Sequence, residues 1–151
     1  MSRFLSIIFG LIITLSTSLF FSHPALAAVG LNNGQLSPCP ESPNCVVSQN
    51  GDEAHSIAAI PYTGDRATAK ETLLKVLSVV PRTEIVEQTD DYIRAESTSR
   101  IFKFVDDVEF YFPEAEQAIE VRSASRVGES DLGVNRRRIE QIRLAMKDIG
   151  A

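Results

Sequence analysis

No tryptophan occurs in the 151 residues, and histidine and cysteine are present only twice each. His23 lies in an apolar N-terminal stretch, so His55 is the imidazole left for chemistry. A His-dependent triad or a typical transition-metal site would rest on that one residue, in a polar loop with no recognisable partners. There is no Gly-x-Ser-x-Gly elbow, P-loop or dinucleotide fingerprint, which leaves Ser123, Ser125 and Ser130 as poor nucleophiles. Repeats, low-complexity tracts and glycosylation sequons are likewise missing. Basic residues are outnumbered 15 to 20, for a net charge of -5. That balance argues against general nucleic-acid or anionic-membrane binding, and no cofactor is implied.

What is present begins with a secretory signature. Arg3 supplies a short positive region, residues 4–21 are apolar apart from a few Ser and Thr, and Ala25-Leu-Ala27 fits small-x-small cleavage. Residues 1–27 are therefore expected to be a signal peptide of the general secretory route. There is no twin arginine, and no small residue before Cys39 to direct lipid attachment. The competing reading is an uncleaved anchor, since the apolar run is about long enough to span a bilayer. After cleavage no transmembrane segment is expected. Residues 28–38, rich in Gly, Asn and Ser, read as a loose linker, and residues 39–151 as a single domain, enough chain for one core.

Cys39 and Cys45 bracket a short loop stiffened by Pro40 and Pro43. In an exported chain a disulfide is the default. Neither Cys-x-x-Cys nor a second metal-ligand pair competes with it.

Helical spacing follows at Ala69, Leu73, Val76, Leu77 and Val80, with Asp65 as N-cap and Pro81 as terminator. Two short strands are predicted at residues 84–87 and 92–96. A second pair is predicted at residues 101–112 and 119–126. In the third strand, alternation puts Phe102, Phe104, Val108, Phe110 and Phe112 on one face together with Asp106. A symmetric turn at residues 113–118 would set Phe112 opposite Ile119, Phe110 opposite Val121, Val108 opposite Ser123, and Asp106 opposite Ser125. On the reverse face Glu109 would meet Arg122. A final helix starts near Asn135, with Ile139, Ile142, Met146 and Ile149 on one side. The expected fold class is α+β: an antiparallel four-stranded sheet, with a helix before it and a helix after it packed on one face.

Two constellations draw attention. Arg136, Arg137 and Arg138 crowd a helix start, where the macrodipole already places positive charge. Compensation could come from Asp131, Asp106, Asp107 or Glu109 inside the protein, or from a bound anion that would also find backbone N–H groups there. Arg122 and Arg126 would enlarge the basic surface. The second constellation is Asp106 on an apolar face. Such a carboxylate is costly unless hydrogen bonded, and it serves either as a structural tie or, if raised in pKa, as an acid or base. Metal binding is not expected, because alternation separates Asp106 from Asp107 and Glu109 and no EF-hand spacing occurs.

Three segments carry a resemblance: Cys39-Pro-Glu-Ser-Pro-Asn-Cys45, Phe104-Val-Asp-Asp-Val-Glu-Phe110, and residues 122–139, which include Ser123, Ser125, Ser130, Asp131, Asn135 and the three arginines. Together they resemble the family known as domain of unknown function 1499. The resemblance implies a small exported or membrane-associated domain of bacteria, with plastid relatives, located in periplasm or thylakoid lumen. It implies no activity. The leading expectation is a non-catalytic module whose Arg122, Ser123, Ser125, Arg126, Ser130, Asp131, Asn135, Arg136, Arg137 and Arg138 cluster binds a small anion or a membrane-associated protein partner. One alternative is an enzyme using Asp106 or Asp107 as general acid or base on an anionic substrate. The other is a purely structural cluster, with recognition by a cysteine loop presenting Glu41 and Asn44.

Overall fold

A computed structural model describes residues 28–150; the proposed signal peptide lies outside them. Four short strands come first: β1 (Leu31–Asn32), β2 (Gln35–Leu36), β3 (Cys45–Val47) and β4 (Ile60–Pro61). Helix α1 (Arg66–Val79) starts at Asp65, whose carboxylate accepts the Thr68 backbone N–H at 2.9 Å. It buries Ala69, Leu73, Val76 and Leu77, as the spacing predicts, and ends before Pro81. Then come β5 (Thr83–Gln88), β6 (Tyr92–Thr98), β7 (Val105–Tyr111), β8 (Ala118–Ser125) and helix α2 (Val134–Ile149).

The α+β class, the mostly antiparallel sheet and the two helices hold. The sheet, however, has six strands instead of four, in the order β3-β8-β7-β6-β5, with β4 also pairing with β8. The additional strands are only three and two residues long, too short for alternation to register. The register between β7 and β8 is the expected one: Phe110 faces Val121, Val108 faces Ser123, Asp106 faces Ser125 and Glu109 faces Arg122.

One sheet face and the two helices enclose the main core, including Phe110, Phe112, Val121, Leu73, Ile139, Ile142 and Met146. Three apolar expectations need correction. Phe102 and Phe104 lie before β7, in the loop that begins after Thr98, and are 72% and 48% exposed. Lys103 there takes a φ of 58°, which breaks the extended alternation. Ile149, in the last helical turn, is exposed as well.

Residues 28–38, expected as a loose linker, contain the β1–β2 hairpin. Leu36 is buried with Val47 and Tyr92 in a second apolar cluster, which Leu31, Cys39 and Tyr111 join. The hairpin covers part of the sheet face away from the helices. Cys39 and Cys45 form a disulfide with Cα atoms 5.6 Å apart. Among the described residues, the strand pairings, the two apolar clusters and the disulfide lie within residues 31–146, so the chain from Ala28 onward includes all of these.

Candidate functional site

Alternation along β7 sends neighbouring carboxylates to opposite faces, and each face builds its own polar network. On the helix side stands Asn135, wholly buried in the first turn of α2. Its amide nitrogen donates to the Asn44 carbonyl at 2.9 Å and to Ser125 Oγ at 3.0 Å. Its amide oxygen accepts from Ser123 Oγ and from Arg138 Nη1, both at 2.6 Å. Arg138 reaches on to Asp106 at 2.6 Å through Nη2. Asp106, the carboxylate that looked misplaced, is thus paired and nearly buried. Asn44 is itself turned inward and donates to the Gly128 carbonyl at 2.5 Å. The cysteine loop therefore does not present Asn44 outward, as one alternative required.

The backbone entering α2 is arranged for this network. Leu132 and Gly133 both adopt positive φ, 53° and 76°. Asp131 bends over to accept from Gly133 N–H at 2.8 Å and Asn135 N–H at 2.7 Å. A Cβ on Gly133 would come within 3.1 Å of Arg137 Nη1. Asp131 thus takes up backbone donors expected to be open to an external anion.

Arg122 and Arg126 do not join Arg136, Arg137 and Arg138. They lie on the far side of the sheet. Arg126 grips Asp107 through Nε at 2.7 Å and Nη2 at 2.8 Å, and also pairs with Glu96. Arg94 contacts the same Asp107 at 3.1 Å. Burial raises the Asp107 carboxyl, but hydrogen bonds from Arg126 and Arg94 outweigh it and hold the pKa below the usual range. Deeper in, Arg122 pairs with Glu109 at 2.6 Å with both side chains fully buried. The second Glu109 oxygen accepts from Tyr92 Oη at 2.8 Å and from Gly30 N–H at 2.6 Å. Burial and Glu109 together push the Tyr92 phenol well above its ordinary pKa, so it stays a donor. Arg122 Nε and Nη2 have no partner among the described residues.

Of the triple arginine, Arg136 donates to the carbonyls of Ser56 at 2.8 Å and Ala54 at 3.1 Å. Arg137 donates to the Leu132 carbonyl at 2.8 Å. Neither meets a carboxylate among the described residues. Arg137 instead lines an open cleft of about 420 Å³ with Arg82, Arg100 and Thr98, floored by Arg138 and Asp106. Arg82 is held by the Thr98 carbonyl at 3.0 Å. Sequence reasoning missed Arg82 and Arg100, because isolated arginines in two distant turns give no signal until the sheet brings those turns together. Ser130 lies on the rim of α2, where its Oγ accepts from Leu132 N–H at 3.3 Å.

The profile of the family described as "Protein of unknown function (DUF1499)" matches residues 35–146. The chain belongs to this DUF1499 family. No curated protein matches it. The DUF1499 match includes the cysteine loop, the cleft and the side chains of both networks. The three segments that carried the resemblance converge on Asn135, which bonds the first through Asn44 and sits within the third, while Arg138 reaches the second at Asp106.

His55, expected to lack partners, has two: Nδ1 lies 2.7 Å from Asp52 Oδ1 and Nε2 lies 3.2 Å from the Ser42 carbonyl. It braces the cysteine loop. Among the described residues no group of three His, Cys, Asp or Glu could hold a metal ion, and no helix is long and apolar enough to cross a membrane.

Proposed function

We propose that this DUF1499 chain is an exported, non-catalytic module, acting in periplasm or thylakoid lumen, that binds an anionic group in the cleft at the start of α2. The observation carrying this reading is the set of cleft guanidiniums, Arg82, Arg100 and Arg137, none of which pairs with a carboxylate among the described residues. Below them the Arg138–Asp106 pair is a fixed floor. Phosphate, sulfate and carboxylate groups match planar guanidinium donors. An acid or base role for Asp106 has less support, since Arg138 holds one of its oxygens at 2.6 Å.

Thermal unfolding of the chain from Ala28 tests the reading, with phosphate, sulfate and small carboxylates at matched ionic strength. A ligand that binds only the folded state at a hundredfold its dissociation constant adds about 2.7 kcal/mol. The expected result is a selective rise in midpoint that Arg137→Ala removes. No selective rise for any anion, or a rise that survives Arg137→Ala, counts against it.

A further inference from the structure

The loop of residues 99–104 is the least explained part of the molecule. Ile101 and Phe102 are 77% and 72% exposed, and Phe104 stacks on Phe102 with ring centroids 5.5 Å apart. Core-sized apolar side chains gathered at a loop tip signal an interaction site. Their immediate neighbours are cationic: Arg100 and Lys103 within the loop, and Arg82 and Arg137 across the cleft that Arg100 lines. None of these four pairs with a carboxylate among the described residues, whose ion pairs involve other arginines and His55. Leu132, 84% exposed, adds a further apolar side chain on the loop whose carbonyl accepts from Arg137.

Charge is distributed unevenly along the strands. Antiparallel strands alternate their turns between two ends. The β6–β7 loop and the β8–α2 loop share one end, whereas the β5–β6 and β7–β8 turns share the other. The far turns carry Asp90, Asp91, Glu114 and Glu116. At the near end the loop acids are Glu41, in the cysteine loop that packs beside Gly128, and Glu129 and Asp131, the last of which is occupied in capping. An acidic protein can therefore turn a cationic, aromatic tip toward an anionic surface, despite the net charge that argued against such contact.

We propose that this tip docks on an anionic lipid bilayer. Phe102, Phe104 and Ile101 enter the headgroup and acyl boundary, and Arg100, Lys103, Arg82 and Arg137 engage lipid phosphate or sulfate groups. This deepens the anion-binding reading and rests on it, since the cleft arginines supply part of the charge. Apolar insertion and attraction to anionic lipid are the two contributions that hold an amphipathic element at a membrane interface. An exposed loop of apolar side chains flanked by cations has that form.

Flotation of the chain from Ala28 tests this with vesicles of phosphatidylcholine alone and of phosphatidylcholine mixed with phosphatidylglycerol. Binding is expected to the mixed vesicles and to weaken with salt. The exposed pair Phe102→Ser with Phe104→Ser should abolish it. Arg100→Ala with Lys103→Ala should weaken it by roughly thirtyfold, from the usual contribution of two basic residues near a charged bilayer. No binding to mixed vesicles, or binding that survives the phenylalanine replacements, overturns the proposal. So does binding to native membranes that protease treatment of those membranes abolishes, which would assign the tip to a protein. Inorganic phosphate titrated separately distinguishes the two readings. A phosphate response without vesicle binding removes membrane docking and leaves the small-anion site. Phenylalanine-dependent vesicle binding without a phosphate response supports docking and removes the small-anion site.

Discussion

At Asn135 one buried amide uses both donor hydrogens and both acceptor positions, joining the cysteine loop, β8 and Arg138 to the first turn of α2. Glutamine alone offers the same amide with two donors and two acceptors, and its stem is one methylene longer. Asn135→Ala leaves the Asn44 carbonyl and the Ser123 and Ser125 hydroxyls short of partners in a buried site. A loss of about 3 kcal/mol is expected, more than one buried hydrogen bond is worth. Urea unfolding measures it, and a loss under about 1 kcal/mol would mean that the network does not fasten the helix. His55 has a lesser version of this role, with its two ring nitrogens facing Asp52 and Ser42.

Between elements, the alternation of β7 does the sorting, and it gives the two faces different sensitivities. Glu109 and Arg122 are fully buried in the middle of the sheet. Removing one partner strands a charge, so Glu109→Gln should lower stability by about 3 kcal/mol or more. Replacing both by methionine should cost much less, because two desolvated charges disappear together. If the double variant is as unstable as the single one in urea, the pair itself is a net stabiliser. Asp107 gives a pH signature. Its folded pKa lies below the ordinary carboxylate value of about 3.9. Its contribution is therefore fully present above that value and is lost as the pH falls through the lower folded one. The stability difference between the protein and Asp107→Asn should be constant at neutral pH and shrink in acid. Acid titrations of the two unfolding midpoints would reveal this, and a difference independent of pH would contradict it. The register behind these effects was legible in the sequence, because a symmetric turn at residues 113–118 sets the apolar residues 108, 110 and 112 on the same face as 119 and 121. Strands β3 and β4 and the β1–β2 hairpin were not legible. They are too short for periodicity, and tertiary pairing with β8 or packing on Val47 and Tyr92 holds them. The strand start was misplaced for a related reason. Phe102 and Phe104 continue the alternation in sequence, while the backbone leaves the sheet at Lys103.

Across the whole molecule, most of the charged groups expected to form one site are divided by the sheet. Arg122 and Arg126 neutralise carboxylates on the far face, Arg138 neutralises Asp106, and Arg136 braces the carbonyls of Ala54 and Ser56. What remains at the basic end is Arg137, joined by Arg82 and Arg100 from turns far away in sequence. Only assembly of the sheet and both helices creates that cleft, which is why the triple arginine could be singled out in the sequence while the arginines that line the cleft beside Arg137 could not. The central claim is that these three guanidiniums receive an anion while the paired ones do not. It is tested most directly by following the arginine Nε–H resonances of the chain from Ala28 in a phosphate titration at constant ionic strength. Saturable shifts confined to Arg82, Arg100 and Arg137, with Arg94, Arg122 and Arg126 unmoved, are the predicted result. Resonances that stay in place throughout, or that drift together without saturating, would contradict it.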